Sequence, residues 1–242
     1  MTVELFGIGT HGKNLALFKK SDKKSIIFIK ESFHEKSNPI IEREYQGYKW
    51  YYSNILKKEN PVNINRKYFY QVSIPQFQGI KFSAEKKFHN YKDHMLMIIR
   101  FYKKHWPVNE NFAIHGDMAL CNFIIGNENF YLIDWEHYHK SHIKNYGFDI
   151  INMLFISFYY RLSRVGYPSF QSKQFIKKCF RLLFDDISSD NNIINRPFYN
   201  SKKYLINNFS KHSYEGFDIK NKFMLARTPD ETLNKLDLFV TQ

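Results

Sequence analysis

The sequence predicts an α+β protein of two lobes, a small antiparallel N-terminal β lobe with one helix and a mainly helical C-terminal lobe. The chain opens as a strand, a glycine-rich turn and a second strand, and the β-rich run Ser25–Lys30 follows a polar turn. Beyond residue 83 apolar residues recur at helical spacing, as in the segment 88–106. We therefore expect an N-terminal lobe over 1–82 and a C-terminal lobe over 83–242.

Within these lobes, apolar periodicity predicts the remaining elements. A helix is expected over 40–56, because Ile41, Tyr45, Tyr48 and Tyr52 share one helical face, and strands are expected over 68–72 and 79–82. A strand, loop and strand unit over 112–136 has its turn at 126–129. The segments 148–164, 172–184 and 202–211 are predicted to be helices.

Composition bounds the class of protein. Apolar residues make up 43% of the 242 residues and aromatics 18%, which predicts a packed globular protein. The two cysteines have no CxxC spacing, so we expect no disulfide scaffold and a reducing cytoplasmic location. The net charge of +13 attracts anions, but the lysines are spread as pairs. We expect no nucleic-acid partner. The positive charge would allow peripheral contact with a membrane surface.

The strongest chemical signal lies in the strand, loop and strand unit. His115-Gly116-Asp117 follows its first apolar run, Asn122 comes five residues after Asp117, and Asp134 ends the second run. This arrangement predicts that two carboxylates and an amide oxygen meet at one rim. Oxygen ligands of this kind suit Mg²⁺, which fills its other positions with phosphate oxygens and water. The alternative is a polar turn in an ordinary hairpin.

These residues resemble the HxDxxxxN and IDWE motifs of the aminoglycoside phosphotransferase and choline kinase family, over roughly residues 5–154. The resemblance implies a bilobal protein-kinase-like fold and an ATP- and Mg²⁺-dependent transferase that phosphorylates a hydroxyl group. It implies that Asp117 orients or accepts the hydroxyl proton, that His115 braces the loop, and that Asn122 and Asp134 bind magnesium. Gly116 stands where protein kinases have arginine, which favours a small-molecule acceptor.

The glycine segment fits three motifs: a dinucleotide-binding turn, a Walker loop and a kinase glycine loop. The first two require a helix next, whereas the segment that follows is predicted to be a strand. In the kinase reading, Gly7, Gly9 and Gly12 let backbone amides approach the ATP phosphates. An ordinary glycine hairpin is the alternative.

The resemblance also assigns the lysine and the hinge. Lys30 matches the strand lysine that contacts the phosphates, and its ion-pair partner is Glu42 or Glu44, of which Arg43-Glu44 fits the family pattern better. The segment 73–79, which includes Phe77, resembles the hinge that holds adenine, and a plain turn between strands is the alternative. Asp149 is expected to cap the helix that follows it.

The sequence says less about the acceptor molecule than about the nucleotide site. The segment 163–242 has no acidic cluster, which disfavours a polycationic aminoglycoside, and the basic surplus favours a sugar or glycan precursor. A choline- or ethanolamine-type kinase is the alternative, because aromatic residues are abundant enough for a cation cage. Two other functional classes remain as alternatives: a non-catalytic nucleotide-binding protein and a basic nucleic-acid-binding protein.

Overall fold

In a computed structural model the described residues are 2–8, 14–22, 25–81, 91–107, 113–126, 130–140, 146–147, 149–150, 153–154, 174–175, 178–179 and 181–183. The chain divides into two compact units, one of Met1–Phe82 with Cys121–His139 and one of Ser83–Leu120 with Lys140–Gln242. The expected lobe division at residue 82 stays a prediction.

The first unit contains a five-stranded antiparallel sheet in the order β1-β2-β3-β5-β4. Its strands are β1 (Thr2–Ile8), β2 (Leu15–Ser21), β3 (Ile26–Ser32), β4 (Asn63–Arg66) and β5 (Tyr70–Pro75). The three predicted N-terminal strands are present, and β5 begins two residues later than predicted. The pairing of β1 with β2 shifts register between Leu5 and Gly7, so Phe6 is an extra residue in β1.

Helix α1 (Asn38–Trp50) packs on this sheet, and Pro39 occupies its first turn, where a missing amide hydrogen costs nothing. The predicted helix over 40–56 changes character at Tyr51, where the chain forms a π-helical turn, Tyr51–Leu56. Lys57 ends this turn in the left-handed region, with φ 54°. Ile41, Tyr48, Tyr51, Tyr52 and Ile55 are buried, so the helix and the π-helical turn share one apolar face.

A second, three-stranded sheet in the first unit consists of β6 (Ile80–Lys81), β8 (Phe123–Ile125) and β9 (Phe130–Leu132), with β8 in the middle. The strand β10 (His139–Lys140) comes later in the chain. The second unit contains α2 (Tyr91–His105) and β7 (Ala113–Ile114).

Apolar residues of α2 form part of the buried core of the second unit. Met95, Ile98 and Ile99 are fully buried, and Tyr102 is nearly so. Tyr102 also stacks on Trp106 with ring centroids 4.6 Å apart. Among the described residues no helix has the length and apolar character that a bilayer crossing requires.

Described residues beyond 148 are helical at 149–150, 153–154, 174–175, 178–179 and 181–183. They fall inside the helices predicted over 148–164 and 172–184. The predicted helix over 202–211 lies outside the described residues.

Candidate active site

The first unit holds a cavity of about 560 Å³ between its two sheets and α1. Leu15, Leu17 and Lys30 line it from the five-stranded sheet, and Glu44 and Tyr48 line it from α1. The remaining wall comes from the segment after β5 and from the residues that flank β8 and β9; it includes Ile74, Pro75, Gln76, Phe77, Gly79, Asn122, Ile124, Ile133, Asp134 and Glu136.

Lys30 is aimed into this cavity by strand register. It pairs with Leu17 of β2 and with Val72 of β5, and residues opposite each other on antiparallel strands lie on the same face. Its Nζ lies 2.5 Å from Oε2 of Glu44 and 2.8 Å from Oδ1 of Asp134. The alternative partner Glu42 instead binds Arg66, with Nε and Oε2 2.7 Å apart.

Three carboxylates therefore surround one ammonium group. Glu136 is the third, with Oε2 3.9 Å from Nζ of Lys30, and one oxygen of each carboxylate lies within 4.8 Å of those of the others. The carboxylates raise the pKa of Lys30, although its burial opposes them, so the lysine carries its charge at neutral pH. Burial raises the pKa of Glu44 to about 7, although the Lys30 ammonium opposes this shift.

Asp134 has an unusual backbone conformation. Its φ is +66°, in the left-handed region that residues other than glycine seldom adopt. Two contacts hold the segment: the hydroxyl of Tyr48 accepts a hydrogen bond from the Asp134 amide, and the Ile133 amide donates to the Asn122 carbonyl at 2.9 Å. The second bond keeps Asn122 beside Asp134. Strained residues cluster at functional sites, which supports a role for this one.

Helix α1 holds the segment after Asp134. Trp135 is fully buried, and its Nε1 donates to the Leu132 carbonyl at 2.8 Å. A Cβ at Gly47 would lie 2.6 Å from Cβ of Trp135, so only glycine leaves room for the tryptophan. Arg43 Nε donates to the Glu136 carbonyl at 3.1 Å. The helix thus supports the backbone on both sides of Trp135.

Aromatic side chains form the wall near the predicted hinge. Phe77 stacks on Tyr131, with ring centroids 4.7 Å apart and planes 9° apart. Tyr48 and Tyr52 lie 6.5 Å and 6.4 Å from the same Phe77 ring. Phe77 lines the cavity, so this wall offers a flat apolar surface to a planar ligand.

Of the three predicted phosphate-loop glycines, Gly7 lines the cavity and has open space around its Cα. Gly9 and Gly12 lie outside the described residues.

The predicted catalytic loop belongs to the second unit. His115 is fully buried, and its Nδ1 accepts a hydrogen bond from the Asp117 amide at 3.3 Å. Gly116 has φ +82°, a conformation that favours glycine. The Asp149 carboxylate accepts hydrogen bonds from the His115 amide at 2.8 Å and the Gly116 amide at 3.0 Å. Asp149 therefore braces this loop, a role not anticipated from the sequence, where we expected it to cap a helix.

Asp149 is a buried acid. Burial raises its pKa to about 7, and the two amide hydrogen bonds oppose that shift. The residue that follows Asp149 by one position, Ile150, is fully buried as well. Upstream, the Gly147 amide donates to the Tyr102 hydroxyl at 3.2 Å, which ties this segment to α2.

The donors in the cavity fit a divalent cation. Asp134, Glu136 and Asn122 offer hard oxygen atoms of the kind that Mg²⁺ takes. Three carboxylates face one ammonium, which leaves up to two surplus negative charges on this wall. Within the described part of the chain, Oε1 of Glu44 is buried and accepts no hydrogen bond. A cation near these groups would offset that surplus.

Sequence reasoning had not assigned Tyr48, Arg43, Glu136 or Asp149 to the site. Glu136 is the last residue of the IDWE motif, so the sequence did contain a signal for its place in the site. The other three act through contacts between distant parts of the chain, such as Arg43 with Glu136, which local spacing does not reveal.

No protein-family model matches the chain, and no curated protein matches it. Among solved structures, an ethanolamine kinase of Plasmodium vivax matches with a TM-score of 0.51 and 11% identity, over 97% of this chain and 84% of that one. WaaP in complex with acyl carrier protein matches with a TM-score of 0.49 and 9% identity, over 91% of this chain and 89% of that one.

The likeness to the ethanolamine kinase is one of fold, and it agrees with the antiparallel N-terminal sheet and its single helix. The predicted α+β architecture is confirmed. The chain has an α+β, protein-kinase-like fold, which it shares with that ethanolamine kinase.

Proposed function

We propose that this protein is an ATP- and Mg²⁺-dependent phosphotransferase that moves the γ-phosphate of ATP to a hydroxyl group of a small molecule. One observation carries the proposal: Lys30, Asn122 and Asp134, which come from separate parts of the chain, line one cavity. A cationic side chain beside oxygen ligands for magnesium, next to a flat apolar wall, suits a nucleotide triphosphate.

In this proposal the cavity binds the nucleotide in two parts. The Phe77 wall and the backbone of 74–76 hold the base, while Lys30 and the backbone at Gly7 contact the phosphates. Glu44 orients Lys30 through the contact at 2.5 Å, so the ammonium stays at one position. Asn122 and Asp134 hold the magnesium, which, when bound, neutralises charge on the phosphates.

Asp117 orients the acceptor hydroxyl and accepts its proton. His115 and Asp149 position the loop, because they bind the backbone amides of 115–117. Charge on the transferred group is then offset by Lys30 and by the amides of the glycine segment. We propose a sugar or glycan precursor as the acceptor, because the net charge of +13 favours neutral or anionic molecules.

The test is an ADP-release screen over sugars, amino alcohols and aminoglycosides, with Asp117→Asn beside the unchanged protein. We expect turnover of the variant to fall by roughly 10²-fold or more, the scale of a lost general base, with Mg-ATP affinity nearly unchanged. The matched control is Asp93→Asn, an exposed acid at the start of α2.

Normal turnover by Asp117→Asn would remove Asp117 from the mechanism. Tight Mg-ATP binding with no turnover on any acceptor would favour a non-catalytic nucleotide-binding protein. Selective turnover of ethanolamine or choline would replace the sugar by an amino alcohol.

A further inference from the structure

Glu136, which lines the cavity, and His137 lie next to each other in a tight turn. The Tyr138 amide donates to the Trp135 carbonyl at 2.9 Å. This bond closes a β-turn whose two central positions are Glu136 and His137. Trp135 is fully buried, and the Glu136 carbonyl accepts a hydrogen bond from Nε of Arg43 at 3.1 Å. The backbone that carries both side chains is therefore held in place.

The two oxygen atoms of the Glu136 carboxylate have different surroundings. Oε2 lies 3.9 Å from Nζ of Lys30, which also lines the cavity. Oε1 lies 3.3 Å from Nε2 of His137, a distance at which this ring nitrogen can donate a hydrogen bond. His137 is buried, and it is not among the described residues that line the cavity. Oε2 is therefore the oxygen that Glu136 offers to a ligand in the cavity.

A buried oxygen atom on the same wall points to a positively charged ligand. Glu44 is 1% exposed, and its Oε1 accepts no hydrogen bond from the residues that the structure describes. One oxygen of each of Glu44, Asp134 and Glu136 lies within 4.8 Å of those of the others. These carboxylates outnumber the ammonium group of Lys30 beside them, so a cation would offset the remaining charge.

Mg²⁺ and Ca²⁺ differ in how they use a carboxylate. Mg²⁺ requires nearly octahedral positions at about 2.0–2.1 Å, whereas Ca²⁺ takes about six to eight oxygen atoms at about 2.3–2.6 Å, and a carboxylate can supply both of its oxygens to that ion. A carboxylate that has only one oxygen available therefore suits Mg²⁺ better than Ca²⁺.

The neighbouring donors have the same limitation. An amide group has a single oxygen atom, so Asn122 can contribute one donor. Oδ1 of Asp134 lies 2.8 Å from Nζ of Lys30, so one of the two Asp134 oxygens already has a partner. Glu136 would be the exception if its carboxylate could turn, because both of its oxygens would then reach a ligand.

We propose that His137 restricts Glu136 to a single ligand oxygen, and that this restriction makes the nucleotide site select Mg²⁺ over Ca²⁺. Presenting both oxygens to the larger ion would require the carboxylate to turn away from His137. The backbone of Glu136 cannot move to compensate, because Arg43 holds its carbonyl. His137 is then a positioning residue that acts through Glu136. This role depends on the proposed phosphotransferase function, because it concerns the same magnesium site.

The test compares the affinity of the full chain for Mg-ATP with its affinity for Ca-ATP, each measured by calorimetric titration. The unchanged protein should bind Mg-ATP more tightly. His137→Leu removes the donor to Oε1 of Glu136, and we expect the ratio of the two affinities to fall by roughly tenfold or more. His137→Gln keeps a donor and should retain most of the ratio. The matched control is His94→Leu, a partly buried histidine of α2 outside the described lining of the cavity, which should keep the ratio unchanged.

The ratio separates positioning from a general loss of structure, because a variant that is only less stable binds both complexes more weakly. Glu136→Gln gives a second measurement that does not require the His137 variants to fold. Glutamine has one side-chain oxygen, so both affinities should fall while their ratio stays near that of the parent. Adding His137→Leu to Glu136→Gln should then change the ratio no further.

Four results would overturn the proposal. An unchanged ratio in His137→Leu would show that His137 does not restrict Glu136. A changed ratio in Glu136→Gln would show that both oxygens of Glu136 act in the parent. Equal affinities of the unchanged protein for Mg-ATP and Ca-ATP would show that the site does not discriminate between the ions. These three results leave the phosphotransferase intact, whereas a lack of ATP binding with either ion would overturn the proposed function as well.

Discussion

The contact between Gly47 and Trp135 allows a quantitative test of how α1 supports the cavity wall that carries Asp134 and Glu136. An alanine methyl at residue 47 would lie 2.6 Å, 2.7 Å and 2.8 Å from three atoms of Trp135, whereas ordinary contacts begin near 3.4 Å. The tryptophan would have to retreat by the difference, about 0.8 Å at the closest atom. It is fully buried against Tyr51 and Trp50, so this movement is costly.

Two opposing terms set the size of the effect. Alanine is favoured over glycine inside a helix by about 1 kcal/mol, which would stabilise the variant. Overpacking a buried site costs about 1–3 kcal/mol, and occasionally more where the neighbours cannot move. Because Trp135 is held by packing and by its bond to Leu132, we expect the cost to exceed the gain. A cost of about 2–3 kcal/mol less a gain of about 1 kcal/mol means that Gly47→Ala should lower the free energy of unfolding by about 1–2 kcal/mol.

The same displacement should reach Asp134, which precedes Trp135. A shift near 1 Å at a binding residue can cost up to about 10²-fold, so we expect Mg-ATP affinity to fall by roughly tenfold to a hundredfold. Urea unfolding and calorimetric titration measure the two effects. Gly7→Ala is the control for stability, because nothing lies within 4 Å of an added Cβ there. A Gly47→Ala protein as stable as the parent, or more stable, would refute the reasoning.

Three further predictions concern buried polar groups. Tyr48→Phe removes the acceptor of the Asp134 amide, so the free energy of unfolding should fall by about 0.5–1.5 kcal/mol. Unchanged stability in urea unfolding would show that this hydrogen bond does not stabilise the protein. Lys30→Met leaves Glu44 beside Asp134 without a counter-charge, so the free energy of unfolding should fall by about 3–5 kcal/mol at pH 8. The loss should be smaller at pH 6, because burial and the missing ammonium favour the neutral form of Glu44, and this form costs less to reach at the lower pH. Urea titrations at both pH values test this, and equal losses would contradict it. Asp149 has a pKa of about 7 when folded and an ordinary value near 3.8, so its contribution to stability falls as pH rises from about 4 to 7. The melting temperature of Asp149→Asn should therefore decline less steeply than that of the parent over this pH range. Parallel declines in the two proteins would argue against a raised pKa of Asp149.

Much of the N-terminal fold could be predicted from the sequence because its strands carry strong local signals. The run from Ile26 to Lys30 is rich in β-branched residues, and the flanking turns contain glycine, lysine and aspartate. Strand β4 (Asn63–Arg66) was missed, since its sequence, NINR, has one apolar residue and three that stay exposed. An edge strand of that kind forms through hydrogen bonds to its neighbour rather than through burial of side chains.

The π-helical turn after α1 could not be predicted for a related reason. The apolar spacing of Tyr48, Tyr52 and Ile55 is compatible with a continuing α-helix, and all three side chains are buried. An added residue per turn changes the rotation of the helix while apolar residues continue to face inward. Tertiary packing therefore determines whether this segment forms an α-helix or a π-helical turn.

In the candidate site, too, residues in a local motif could be predicted from the sequence, whereas residues that act through contacts with distant parts of the chain could not. The spacing of Asp117, Asn122 and Asp134 predicted that the three meet at one rim. Asn122 and Asp134 line one cavity. The position of Asp117 beside them and the binding of magnesium stay predictions. Tyr48 belonged to no motif, and Arg43 was noted only as the neighbour of Glu44 in the family pattern, because both act through contacts with residues more than 80 positions away along the chain. Nothing in a local pattern distinguishes such a tyrosine from one that only fills the core.

The extra residue Phe6 interrupts the regular pairing of β1 with β2. Before the extra residue, Leu5 lies beside Phe18; after it, Gly7 lies beside Leu17 on the other side of the sheet. Deleting Phe6 would leave Leu5 opposite Phe18 and Gly7 opposite Leu17, each on its present side, and would make the pairing regular. An insertion or deletion elsewhere in β1 would instead move the residues beyond it to the opposite side of the sheet.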